Sequence, residues 1–231
     1  MSKLSSLRMM VLAVAAWGVA ACASDTPPST RAQALVENAR WSVEAFKQSS
    51  EKPAEAFRKE LKGARGLVVI PAALKGAFLV GAEGGNGILL ARDEAGTWSY
   101  PAFYTLGAGS FGLQIGGRSA EIVLVLRSDA AVDAIIKHQG KLGADLEIIG
   151  GHIGAGMETS TTANVGADIV AFARGAGLYG GLSLEGAVLA KRNDLNEAYY
   201  GSSAATAETI VLQRQFQNAQ AEPLRAALAT N

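Results

Sequence analysis

The sequence predicts an α+β fold: a bent antiparallel sheet closing into a small β-barrel-like core, with about three helices packed on its surface. Three observations predict it. Short apolar, strand-like segments crowd the middle of the chain. Amphipathic helical patterns lie at both ends with one more between them, without the regular strand–helix alternation that builds a parallel sheet. The 231 residues include 27 glycines but only 6 prolines. Glycine scattered among Val, Ile and Leu marks curved strands, bulges and short turns rather than low-complexity disorder.

The elements follow in order. Residues 30–49 place Ala32, Leu35, Ala39, Val43 and Phe46 at three- and four-residue steps, with Arg31, Glu37, Arg40, Glu44 and Lys47 elsewhere, which is the period of an amphipathic helix. Thr30 is its expected cap and Gln33 completes a capping box. A second helix spans 53–62 with Pro53 in a tolerated first-turn position. It carries Arg58, Lys59 and Lys62, and Arg65 follows, making a local basic cluster. Residues 66–71 form a continuous apolar run, as in a buried strand. Segments 78–81 and 87–92 read as strands around a turn signal, Glu83-Gly84-Gly85-Asn86. Segments 97–104 and 111–115 continue the sheet, and 121–127 is the strongest strand pattern.

Ser128 then caps a helix over 129–141, stopped by Gly140 and Gly143. Residues 145–149 are a strand and 150–166 a loop of Gly, Ser, Thr and Asn. Strands at 168–174 and 178–189 follow, the second alternating with period two. A terminal helix covers 206–217, and 221–229 add a turn or two.

The amino terminus is expected to be a leader. Lys3 and Arg8 precede an uncharged run, residues 9–20, too short to span a bilayer comfortably. It ends in Val19-Ala20-Ala21-Cys22, which resembles the bacterial lipobox: small residues let a peptidase approach the backbone, and the Cys22 thiol receives a diacylglyceryl group. Cys22 is the chain's single cysteine, so the sequence holds no internal disulfide. Residues 1–21 are thus read as a lipoprotein signal peptide and 22–29 as acylated Cys and a Pro-containing tether. Residues 30–231 form one domain, large enough for a real core. Ala23 and Ser24, with no Asp beside Cys22, point to the outer membrane of a bacterial envelope, facing periplasm or surface.

Composition narrows the chemistry. Lys plus Arg and Asp plus Glu each number 21, so the chain lacks the basic excess of a nucleic-acid binder. Two G-x-G-x-x-G matches, at Gly107 and Gly175, run into strand-like sequence instead of the helix a dinucleotide site requires. His138 and His152, the two histidines, have no metal-ligand spacing. No serine sits in a G-x-S-x-G elbow. Glu185 lies in an apolar alternation and reads as a structural acid, since no partner carboxylate or base accompanies it. Neither catalytic residue, cofactor nor metal is expected.

Several segments together resemble the SYLF domain: Ala64-Arg65-Gly66-Leu67-Val68-Val69-Ile70-Pro71, then Lys75-Gly76-Ala77-Phe78, residues 81–87 and Arg92. Trp98-Ser99-Tyr100-Pro101, Gly112-Leu113-Gln114-Ile115-Gly116, residues 177–186, Arg192, Asn196, Tyr200 and Gly201 continue the pattern. The resemblance covers about residues 31–215. It implies a phospholipid-binding domain, with phosphoinositides the lipids associated with the family, and a barrel-like core with helices on it. Eukaryotic relatives are linked to actin and membrane remodelling, a role that does not carry to an exported lipoprotein. Anionic phospholipid is the more general ligand.

Lipid binding requires cations that reach phosphate oxygens, each contributing about 1 kcal/mol near an anionic surface, and backbone N–H groups in Gly-rich turns can help. The candidates are Lys75 beside an 81–87 turn, Arg92, and the cluster Arg58, Lys59, Lys62 and Arg65, with Trp98 at headgroup level. The alternative is a structural or protein-interaction lipoprotein of the envelope, its protein partner unspecified.

Overall fold

The computed structural model describes residues 26–50, 52–78, 80–111, 116–138, 148–153, 168–175 and 187–229. The leader, Cys22, Glu185, most of the 150–166 loop and the 178–186 strand lie outside the described residues, as does most of each glycine motif beyond Phe111 and Gly175.

Two helices open the fold, α1 (Pro28–Gln48) and α2 (Lys52–Gly63). α1 begins two residues earlier than its periodicity predicted. Pro28 occupies the first turn, where a missing N–H is no loss, and no side chain caps the helix. The expected box from Thr30 and Gln33 is therefore not made, and Gln33 Oε1 is buried without a partner among the described residues.

Seven strands follow: β1 (Gly66–Phe78), β2 (Val80–Ala91), β3 (Ala102–Phe111), β4 (Gly116–Leu126), β5 (Ile148–Ile153), β6 (Ile169–Gly175) and β7 (Val188–Lys191). They form one sheet in the order β5-β6-β4-β1-β2-β3-β7. Every neighbouring pair is antiparallel except β5 and β6, which are parallel. Among the described residues β5 and β7 are opposite edges, so the expected closure into a barrel is corrected to an open sheet.

The physical reason lies in burial. β1 turns Leu67 and Val69 to one face and Val68 and Ile70 to the other, and all four are fully buried. A sheet covered on both faces is a middle layer, and it has no need to wrap around its own side chains. One core joins α1 and α2 to Leu67, Val69, Ile88, Leu90, Val123, Val125 and Phe172. The other joins Val68, Ile70, Leu89, Ile122 and Leu124 to α3 (Asp129–His138) and to a π-helical turn at Glu208–Leu212. Ser128 caps α3 as expected, its Oγ accepting from Ala131 N at 3.1 Å.

The hairpin between β1 and β2 also departs from the turn signal. Phe78 pairs with Val80, so the chain reverses around residue 79, and Glu83–Gly87 lies within β2. Glycine is needed there for close approach, not for turning. β1 bulges between Val69 and Leu74, and a Cβ on Gly85 would come 2.4 Å from Ala72 O, one on Gly87 2.6 Å from Val69 O.

Five α-helices, not three, lie among the described residues. α4 (Asn193–Tyr200), too short to show a period, is stopped by Gly201 in the left-handed region at φ 70°. α5 (Glu222–Leu228) lies near the carboxyl end, within the expected 221–229 turn. The helix expected over 206–217 is replaced by the π-helical turn and an irregular tail.

Candidate functional site

The amphipathicity of α2 produces the site. Ala54, Phe57 and Leu61 are buried, as is Ala64 just after the helix, which leaves Lys59 and Lys62 exposed on the other side and Arg58 half-buried. The rings of Phe46 on α1, Phe57 on α2 and Phe172 on β6 form a chain with 5.4 Å between successive centroids. Each such buried side chain stabilises by roughly 2–3 kcal/mol, so the two helices are fixed on the sheet. Arg127, just after β4, grips Glu60 at 2.7 and 2.9 Å and fixes the rotation of α2.

A groove of about 600 Å³ opens where the end of α1 meets α2 and the end of α5. Lys47, Glu55, Arg58, Lys59, Leu61, Lys62 and Ala229 line it. Four cations thus face one carboxylate. Their duties differ. Arg58 Nη1 donates to Lys47 O at 2.8 Å and Ser49 O at 3.1 Å. These carbonyls lie at the carboxyl end of α1, where its dipole is negative. Lys47 Nζ in turn donates to Ala227 O at 2.7 Å and Ala229 O at 3.2 Å. Lys59 and Lys62 have no side-chain hydrogen bond or ion pair among the described residues. Two cations build the groove, and the ammonium groups of the other two stand exposed beside it.

The other expected site residues do not join it. Arg65 forms a two-point ion pair with Asp129, both distances 2.9 Å, and that carboxylate holds the guanidinium pKa above its ordinary value. Arg92 closes the turn after β2, donating to Gly96 O at 3.1 Å and to the Lys62 carbonyl at 2.9 Å. Trp98, expected at headgroup level, is 4% exposed and belongs to the α1–α2 core. Bridging to Arg92 as the chain turns back toward β3, it points inward. Lys75 lies on β1, opposite Glu83 and Arg118 in register. The glycine segment expected to form an anion-binding turn beside it is paired strand: all of 81–87 pairs with β3, and 81–84 pairs with β1 as well.

Lys47 was missed, although a lysine in the last turn of a helix is an ordinary signal for carbonyl capping. Trp41 was also missed. It lies off the apolar stripe of α1 and is 55% exposed. Among the described residues no three His, Cys, Asp or Glu gather where a metal could bind, and no helix is long and apolar enough to cross a membrane.

The profile of the Ysc84 family, described as "Las17-binding protein actin regulator", matches residues 107–231, from the middle of β3 onward. An SH3 domain-containing protein of Schizosaccharomyces pombe is 36% identical over 167 residues, 71% of this chain and 38% of its own length. The SH3 domain-containing YSC84-like protein 1 of Xenopus laevis is 32% identical over 162 residues, 70% of this chain and 48% of its own. Protein YSC84 of Saccharomyces cerevisiae is 30% identical over 167 residues, 71% of this chain and 35% of its own. The chain therefore spans about a third to a half of the relatives it matches.

Proposed function

The chain belongs to the Ysc84 family of SYLF-domain proteins, and from that premise we propose that it is an anionic-phospholipid-binding module. We propose further that acyl chains on Cys22 tie it to a bacterial envelope membrane, most simply the outer one. The observation that carries the lipid reading is the pair Lys59 and Lys62, exposed and unpaired among the described residues, on a groove already made positive by Lys47 and Arg58. Two free ammonium groups contribute about 2 kcal/mol at an anionic surface. That is weak alone. It is sufficient for a module whose anchor keeps its effective concentration at the membrane high. Two or more acyl chains supply that anchor, at about 0.8 kcal/mol per buried CH₂.

The test uses a Cys22→Ser chain produced without residues 1–21, free of both leader and anchor, sedimented with neutral and with anionic vesicles. Binding to anionic vesicles alone, lost in Lys59→Gln/Lys62→Gln and weakened by salt, is the expected result. Equal, negligible binding to both would defeat the reading. Radioactive palmitate should label the native chain and not Cys22→Ser. The family description favours one alternative, a protein-binding role. Reproducible capture of one envelope protein, together with no vesicle binding, would select it.

A further inference from the structure

Trp41 stands out on the helical layer. The buried stripe of α1 runs through Ala32, Val36, Ala39, Val43 and Phe46, and Trp41 lies off it, 55% exposed. Its neighbours one turn away, Glu37, Asn38 and Ala45, are too short or too polar to cover an indole. The Arg40 guanidinium lies 4.0 Å from the ring centre and is held by Glu44 at 3.0 Å and Glu37 at 4.0 Å, so it stacks on the ring with its charge already paired.

Two further observations give this indole a neighbour. α1 and α2 cover the same face of the sheet, so the layer that presents Lys59 and Lys62 also presents Trp41. The distance to the anchor is short as well. Cys22 precedes Pro28 by six residues, which span at most about 20 Å when fully extended. Trp41 is thirteen residues into the helix, about 20 Å along its axis.

We infer that the outer side of this helical layer docks on the bilayer that holds Cys22, with Trp41 as its interfacial side chain. The inference rests on the anchored, lipid-binding reading above and adds an orientation to it. An indole has an apolar body and one N–H donor, and its favoured depth is the headgroup region. A tether this short keeps α1 near the membrane, whereas the opposite core, under α3, faces away.

The experiment uses the acylated mature chain, whose indoles are Trp41 and Trp98, reconstituted in phosphatidylcholine vesicles containing phosphatidylglycerol and brominated lipid. Bromine should quench the emission of the native chain, and Trp41→Phe should abolish that quenching. Aqueous iodide should quench the native chain less in vesicles than the unanchored Cys22→Ser chain, produced without residues 1–21, in buffer. Equal bromine quenching in the native chain and Trp41→Phe overturns the inference, as does full iodide access in vesicles. The two readings separate cleanly. If Trp41 stays unquenched by bromine while anionic binding still depends on Lys59 and Lys62, the orientation fails alone. If Trp41 is quenched but Lys59→Gln/Lys62→Gln changes nothing, the groove reading fails and the docking face stands.

Discussion

Lys47 Nζ lies 2.7 Å from the carbonyl oxygen of Ala227, so the first helix of the domain holds the last. The bond joins residues at opposite ends of the described chain. It also closes one wall of the basic groove, making Lys47 a builder of the site more than a contact for ligand.

Lys47→Met should therefore loosen α5. Losing an ammonium bond to terminal carbonyls at a half-buried position costs about 1 kcal/mol. Hydrogen exchange should quicken across residues 222–228 while the β1–β4 ladder stays protected. Unchanged exchange there would mean that the burial of Leu224 and Leu228 alone holds the helix.

The two kinds of glycine should respond oppositely to alanine. Gly85→Ala drives a Cβ against the Ala72 carbonyl, a backbone atom that cannot yield cheaply, and should cost about 2 kcal/mol or more. Gly63→Ala, at the end of α2 with nothing within 4 Å of its Cβ, should gain about 0.5–1 kcal/mol from helix propensity. Urea midpoints of the two variants check both signs.

Asn196→Ala should be costly for its size. Asn196 is fully buried and its Oδ1 accepts the Phe103 N–H at 2.9 Å. Removal strands that donor inside the core, at about 1–3 kcal/mol. Calorimetry should show a lower Tm with the fold retained. A variant as stable as the parent would show that the strand relaxes to find another acceptor.

Alkali should unfold the protein through its tyrosines. Burial pushes the phenols of Tyr104, Tyr199 and Tyr200 above their ordinary value. Their folded pKa values exceed the unfolded ones. The stabilisation is therefore complete below the unfolded pKa of about 10 and is lost as pH rises through the folded values. The slope reaches up to about 1.4 kcal/mol per pH unit for each phenol. Phenolate absorbance should rise together with loss of structure. Tyr104 Oη has no partner among the described residues, so Tyr104→Phe should be nearly neutral at pH 7 and flatten the alkaline slope.

Sequence and structure agree where local pattern and burial coincide. The strand over 121–127 was legible because Ile122, Val123, Leu124 and Val125 are apolar on both faces, and the structure buries both. The basic cluster on α2 was legible because its charges sit opposite Phe57 and Leu61. What failed was inference about glycine and tryptophan, residues with several uses. Gly84 and Gly85 serve in turns and in crowded strands alike, and the bulge of β1 decides between them. Trp98, expected at headgroup level, is buried, and Trp41, for which no place was expected, is exposed, because residue identity alone does not reveal which side of the chain faces the sheet.

By itself the sequence determined the element types in most places, the residues that must be buried, and which charges a helix would turn outward. These follow from periodicity and desolvation, which act within a few residues of each position. Only the tertiary structure decided that the sheet lies open between two helical layers, that β5 runs parallel to β6, and that Arg65 and Arg92 are engaged while Lys59 and Lys62 have no side-chain partner among the described residues. Those outcomes depend on partners such as Asp129 and Gly96 and on the carbonyls of Ala227 and Ala229. They reach their places only when segments distant along the chain bury a shared apolar face.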